Sequence, residues 1–195
     1  MVTSISPAFH SFAVPETSPL RPSMPGGVSS PRPADAELRA FERLIAELSA
    51  GFIGLEVERI DGAIEDALRR IVLALDIDRC SLIVVSPVTG RIETTHSWAL
   101  QGIDRTPPLD IVQSNPWALS MAQAGRPVVF ARLDEMPTEA AVDKATWRRV
   151  GLKSHVGMPL RVAGSLRGAL TFGSLRRERE WPGELLGRMR LLADV

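Results

Sequence analysis

The sequence predicts an α+β fold: one antiparallel sheet, with N- and C-terminal helices on one face and short helices and loops forming a pocket on the other. Three observations carry this. Residues 151–174 read as two strands joined by a tight turn, and residues 80–85 and 91–99 read as a second hairpin. Two helical segments precede these strands and one follows them, each with an apolar stripe at helical spacing. Hairpin neighbours mean antiparallel pairing.

In the 151–174 hairpin, side chains alternate between faces. Val156, Met158, Leu160, Leu170 and Phe172 share one face, and His155, Gly157, Ala169, Thr171 and Gly173 share the other. A three-residue loop, Ala163-Gly164-Ser165, is expected to close it, with Gly164 at the left-handed position. The aliphatic face suits a helical layer. The small, partly polar face suits the floor of a ligand pocket. A slip of one residue would mix the two faces.

The other hairpin is joined through Pro87 and Gly90. A direct register pairs Val85 with Ile92, Ile83 with Thr94 and Ser81 with His96. It puts Ser81, Ile83, Thr94, His96 and Trp98 on the mixed face, with Cys80, Leu82 and Val84 opposite.

The first helix is expected from Asp35, as N-cap, to about residue 52. Its residues Leu38, Phe41, Ile45, Leu48 and Phe52 are spaced 3, 4, 3 and 4, a seam of two heptads. Such a seam serves either packing on the domain's own sheet or pairing with the same helix of a second subunit. The second helix, 57–75, buries Ile60, Ile64, Ala67, Leu68, Ile71 and Leu75. A long loop over 100–114 contains Pro107 and Pro108. Asn115-Pro116 then starts a short helix that Gly125 stops. Residues 127–130 form a short strand, placed at a sheet edge by Pro127. A helix over 138–150 is capped by Thr138 and stopped by Gly151. Trp181-Pro182 opens a last helix with Leu185, Leu186, Met189 and Leu192 on one face. It reaches Val195 without a stop signal, which we read as a helix continuing into a downstream module.

The chain has 195 residues, 45% hydrophobic and 24% charged, with Lys+Arg and Asp+Glu both 23. A net charge of zero gives no support for nucleic acid or an anionic membrane as partner. One cysteine, Cys80, excludes an internal disulfide and a cysteine-rich zinc site, and suits a cytoplasmic location. No apolar run approaches the ~20 residues that span a bilayer, and the N-terminus lacks the pattern of a secretory signal. Residues 1–33 are rich in Pro, Ser, Thr and Gly, with Glu16, Arg21 and Arg32 as the only charges. They read as a disordered tail. Residues 34–195 read as one domain, long enough to bury roughly 70% of its unfolded surface.

Over residues 34–195 the chain resembles a GAF domain. The likeness rests on Asp78-Arg79-Cys80-Ser81-Leu82-Ile83-Val84 after a helix. It rests also on Ser154, Pro159 and Leu160 in an S-x-x-x-x-P-L strand, on Gly168, Leu170 and Phe172 in a G-x-L-x-F strand, and on Trp181-Pro182 ahead of the terminal helix. The resemblance implies a non-catalytic, small-molecule-sensing module of bacterial signalling proteins, of the type found ahead of histidine kinases or sigma-54-dependent activators. The residues of the family's specialised chemistries are not met. Methionine sulfoxide reductases of this fold need several cysteines. Bilin photoreceptors need a cysteine placed for attachment, and the cyclic-nucleotide branch needs an Asn-Lys-x-x-x-Phe-x-x-x-Asp-Glu signature. The cofactor is left unknown. Haem ligation would need a histidine aimed into the pocket, where His96 and His155 both face in this register.

Catalysis has no motif behind it: there is no Walker loop, no G-x-S-x-G elbow and no H-E-x-x-H helix. A nucleophile pair of Cys80 with His96 is disfavoured because the two point to opposite faces, and Cys80 reads as a buried structural residue. The candidate ligand contacts are Ser81, Ile83, Thr94, His96 and Trp98 from the first hairpin and His155 and Thr171 from the second. Phe130 joins them from the edge strand, and Trp117 and Trp147 from the helices over the pocket. His96 and Trp98 would supply a hydrogen-bonding group and an aromatic wall, or else satisfy a loop carbonyl and plug the core. Lys153 falls on the aliphatic face and is expected to snorkel at the strand end or to pair with a carboxylate. Arg176, Arg177 and Arg179 alternate with Glu178 and Glu180, as in a self-paired loop.

The expected partners are an unidentified small molecule and a second copy of the chain, paired through Leu38, Phe41, Ile45, Leu48 and the C-terminal helix. The alternative is a dimerisation domain with a collapsed pocket; a third, distant reading is a redox enzyme working through Cys80. A void of roughly several hundred Å³ lined by His96, Trp98 and His155 would mark the sensor.

Overall fold

The structure, a computed structural model, describes residues 33–195. The tail expected over 1–33 lies outside the described residues, apart from Pro33, which opens the first helix. Helices α1 (Pro33–Phe52) and α2 (Ile60–Leu75) lead into strands β1 (Arg79–Val85) and β2 (Ile92–Ala99). Helices α3 (Ile111–Ser114) and α4 (Pro116–Gln123), strand β3 (Val128–Phe130) and helix α5 (Ala141–Arg149) follow. Strands β4 (Ser154–Val162) and β5 (Ser165–Ser174) and helix α6 (Gly183–Asp194) complete the domain. The sheet runs β2-β1-β5-β4-β3, antiparallel throughout, with β3 at an edge as Pro127 requires.

The sheet separates two apolar layers. On one side Phe41, Leu44 and Leu48 of α1, Leu68, Ile71, Val72 and Leu75 of α2, and Met189 and Leu192 of α6 pack with Cys80, Val156, Met158, Leu170 and Phe172. On the other, Trp147 of α5 packs with Val128, Phe130, Met136, Ala140 and Leu152. Phe41 and Leu48 of the seam that could meet a second subunit are thus taken up by the chain's own core, and Ile45 packs against it partly buried. Leu38 stays exposed.

The β4–β5 hairpin has the expected faces: His155 pairs with Gly173, Gly157 with Thr171 and Pro159 with Ala169. Its turn is tighter than expected. Val162 pairs with Ser165, leaving a two-residue Ala163-Gly164 loop with φ of 49° and 80°. Positive φ at both central residues makes this a primed turn, whose twist matches the strands. Gly168 is required where β5 meets β1, because a Cβ there would lie 2.1 Å from the Ile83 carbonyl oxygen.

The β1–β2 hairpin departs from the direct register. Val85 pairs with Ile92 and Ile83 with Thr94, but Leu82 pairs with His96, Ser81 with Ser97 and Cys80 with Trp98. Thr95 is the extra residue of a β-bulge. One added residue moves everything beyond it to the opposite face. Trp98 therefore packs into the helical layer, where its large apolar ring displaces water, and Ser97 turns to the pocket side.

Buried polar groups fasten the ends of the sheet. Asp78 Oδ2 accepts from the N–H groups of Leu175 (2.7 Å) and Arg176 (2.9 Å), and its Oδ1 from Arg176 Nε (2.6 Å). Burial pushes the Asp78 carboxyl up, but these donors and the Arg176 charge outweigh it and hold it below the usual range. Ser154 Oγ donates to the Ala131 carbonyl (2.6 Å) and accepts from Arg179 N (2.7 Å), and Trp181 Nε1 donates to the Phe130 carbonyl (2.9 Å). Ser154 and Trp181 are thus structural.

The charged loop after β5 is not self-paired. Arg176 and Arg177 reach Asp78 and Asp76, while Glu178 and Glu180 reach Arg132. Lys153 is exposed and donates from Nζ to the Arg176 carbonyl.

Candidate ligand-binding site

A cavity of about 100 Å³ lies between the sheet and helices α3–α5. Its floor is the small face of β4–β5, Gly157, Pro159, Ala169, Thr171 and Gly173, continued by Ser81 and Ile83 of β1 and Thr94 of β2. Ala118, Leu119 and Ala122 of α4 and Trp147 of α5 cover it, and Thr106, Leu109 and Ile111 of the preceding loop and turn form a wall. At one end of the floor Leu152 packs directly over Gly173, where a Cβ would lie 2.9 Å from Leu152 Cδ1.

The covering helices are fixed by a carboxylate. Asp143 on α5, fully buried, accepts from Trp117 N (3.1 Å) and Ala118 N (2.8 Å) at the start of α4. These are donors that a helix N-terminus leaves unmatched. Burial raises the Asp143 pKa, and the backbone donors offset this only in part. Asn115 was expected to cap α4. Its side chain does not; its Oδ1 instead accepts from Ser114 Oγ at 2.9 Å, and its Nδ2 has no partner.

Six polar side chains, Arg79, Ser81, Thr94, Thr106, His155 and Thr171, set the chemistry of the lining. Ser81 Oγ bonds Ser97 Oγ (2.9 Å) and Thr106 Oγ1 (2.7 Å), and Thr106 N donates to Ser97 Oγ (2.9 Å), tying the loop to the sheet. Thr171 Oγ1 donates to the Ser81 carbonyl at 3.2 Å. Thr94 Oγ1 is buried without a partner. His155 stacks against Trp147 (5.3 Å between centroids) and Phe130 (5.6 Å). Its burial, then the Arg79 charge, drives its pKa down to about 3, so the ring is neutral near pH 7. Arg79, 5% exposed, donates from Nη1 to the Asp104 carbonyl at 3.0 Å. Burial pulls its pKa to about 10 against the opposing Asp104 charge, and it remains a cation.

Of the residues read from the sequence, Ser81, Ile83, Thr94, Trp147, His155 and Thr171 line this cavity. His96 and Trp98 do not. The bulge at Thr95 turns His96 toward α2, where its Nε2 lies 3.2 Å from Asp61 Oδ1, and packs Trp98, half-buried, against the helical layer. Phe130 stands behind Trp147 and His155, and Trp117 packs in the layer around them; neither reaches the lining. Cys80 is fully buried on the helical side, and burial pushes its thiol well above the usual range. The reading from sequence missed Arg79, Thr106, Asn115 and Leu119. Arg79 was legible in principle, since alternation puts it on the face of Ser81 and Ile83.

The GAF domain family model matches residues 59–195, more than half of the chain. The chain belongs to the GAF domain family, a family of sensory domains. The fold is that of solved GAF domains. A phycocyanobilin-bound GAF domain from a cyanobacterial phytochrome superposes with a TM-score of 0.66 at 15% identity, covering 79% of this chain and 90% of that one. The GAF domain of an Acinetobacter phosphoenolpyruvate-protein phosphotransferase gives 0.59 at 12% identity, covering 82% and 89%. A domain assigned to a two-component sensor histidine kinase of Sinorhizobium meliloti gives 0.52 at 18% identity, covering 69% and 86%. No curated protein sequence matches the chain. Among the described residues, no helix is long and apolar enough to cross a membrane.

Proposed function

We propose that this domain is the small-molecule sensor of a bacterial, cytoplasmic signalling protein and that it passes ligand occupancy to an output module through α1 and α6. One observation carries the reading. A cavity lies on one side of the sheet, and the helices at both ends of the domain pack on the other. The floor strand β1 faces both: Ser81 and Ile83 look into the cavity while Cys80 packs with α1, α2 and α6. A ligand that favours one position of the 100–110 loop, held to β1 by the Ser81, Ser97 and Thr106 hydroxyls, biases the sheet and the helices behind it. Native mass spectrometry of the protein purified from its own host tests this. The expected result is a bound small molecule that is lost in Ala118→Trp, a variant that fills the cavity. An apo protein in both samples contradicts it.

A second reading, a dimerisation domain whose pocket stays empty, is favoured by the cavity's size. About 100 Å³ is less than the several hundred expected of a sensor pocket. Leu38 of α1 and Leu191 of α6 are exposed on the terminal helices and suit pairing between two copies. A dimer that stays empty and that Leu38→Glu splits is the outcome that selects this reading.

A further inference from the structure

The cavity's polar groups are unbalanced. Among the described residues Arg79 and Arg126 line it, and no Asp or Glu does. Arg126 is exposed to solvent and screened, so the charge that counts is Arg79. Its guanidinium is buried; among the described residues no carboxylate lies within ion-pairing distance, the Asp104 charge acts on it only from farther away, and its hydrogen bond goes to the Asp104 backbone carbonyl. Five N–H donors in a planar fork are matched to a carboxylate. A buried cation left without one is costly. Asn115, also 5% exposed, presents a second donor, Nδ2, that no acceptor meets. Among the described residues the His155 ring has no hydrogen-bond partner. Thr94 Oγ1, also unpartnered among the described residues, and the neutral His155 ring can each donate or accept, so Arg79 and Asn115 Nδ2 tip the balance toward donating, in a lining that is otherwise aliphatic and aromatic: Ile83, Leu119, Val128 and Trp147.

Size narrows the class. An enclosed apolar cavity of ~150 Å³ holds a benzene ring; this one, about 100 Å³ but partly open to solvent, takes a ligand of about that size only with part of it in the opening. A bilin or a nucleotide does not fit the cavity as it stands. Inorganic phosphate fits by volume but leaves the apolar walls unused.

We propose that the cavity binds a small monocarboxylate with a short branched or cyclic apolar body, its carboxylate on the Arg79 guanidinium and its body against Ile83, Val128 and Trp147. The proposal rests on the sensor reading and adds the ligand's charge and size. Calorimetric titration of the full chain with isovalerate, isovaleramide, benzene and inorganic phosphate tests it. Isovalerate is expected to bind at least roughly tenfold more tightly than its amide, the effect of a hydrogen bond to a charged group, and phosphate weakly. Arg79→Gln is expected to remove the difference between acid and amide, while Arg79→Lys keeps part of it. Asn115→Ala is expected to weaken isovalerate alone. The acid–amide comparison needs no variant, so a misfolded Arg79→Gln leaves it intact. Equal binding of acid and amide, or binding of benzene alone, overturns the carboxylate proposal and leaves a ligand-binding cavity standing. Phosphate binding as tightly as isovalerate reduces the site to a simple anion site and also overturns it. Binding of none of the four overturns the proposal, and the native mass measurement then judges the sensor reading separately.

Discussion

The two hairpins of this domain look alike in sequence and differ in outcome. Each pairs an aliphatic strand face with a mixed one. In β4–β5 alternation places every residue of the pocket floor correctly, because its one irregularity, the extra Arg167 between the Leu160–Gly168 and Arg161–Leu166 pairs, lies on the turn side of the floor. In β1–β2 it fails after Thr94, because Thr95 is bulged out and His96 and Trp98 move to the helical side. The difference lies in how strongly each strand specifies its own register. A slip in β4–β5 would expose Val156 and Phe172, both fully buried, and drive His155 into the helical layer. In β2 the residues Glu93, Thr94, Thr95, His96 and Ser97 are polar on both faces, so no slip has a large hydrophobic cost. The one apolar residue with a strong preference is Trp98, and it selects the bulge by packing behind the sheet.

That contrast has measurable consequences. The largest concerns Trp98. Trp98→Ala is expected to lower unfolding free energy by about 2 kcal/mol, less than for a fully buried aromatic because the ring is half-buried, and to leave cavity binding unchanged; chemical denaturation and ligand titration read the two effects. A variant of normal stability that loses binding would restore the unbulged register.

His155, its counterpart on the cavity side, gives a pH signature instead. Its folded pKa of about 3 lies below the ordinary value of 6.5, so between these values the unfolded chain binds the proton and the folded chain does not. Stability therefore falls as pH drops from 6.5 toward 3, by about 1.4 kcal/mol per unit at most from this one group. Replacing it, in His155→Gln, is expected to flatten that slope in urea melts at stepped pH. An unchanged slope would place the titration elsewhere.

The smallest effect is expected at the bulge. Deleting Thr95 joins Thr94 to His96 in a regular ladder and leaves every later residue on its present face. The change in stability is expected to be within ~1 kcal/mol, since only the weak Thr95 Oγ1 contacts to Leu82 O and His96 are lost. A loss of several times that would show that the bulge carries more than spacing.

The layers, the sheet and most of its floor were legible because they rest on periodicity, which each segment carries within itself. What was not legible depends on distant partners. Asn115 has the sequence of a cap, but the α4 donors are taken by Asp143, which no local pattern near Asn115 announces. Phe41 and Leu48 read equally as core or interface until α2 and α6 are seen against them. Arg79 opens a strand, where charges usually reach solvent; only the folded loop at Asp104 shows it buried, hydrogen-bonded to a backbone carbonyl, with the Asp104 charge nearby but in no ion pair among the described residues.

The most direct test of which face of the sheet is the ligand's is a crystal structure of the protein isolated from its own host. This account predicts a bound molecule between the sheet and α4–α5, against Arg79, Trp147 and His155, with His96 still turned to Asp61. A molecule on the α2 side in contact with His96 and Trp98, or a cavity closed over by its own side chains, would contradict it.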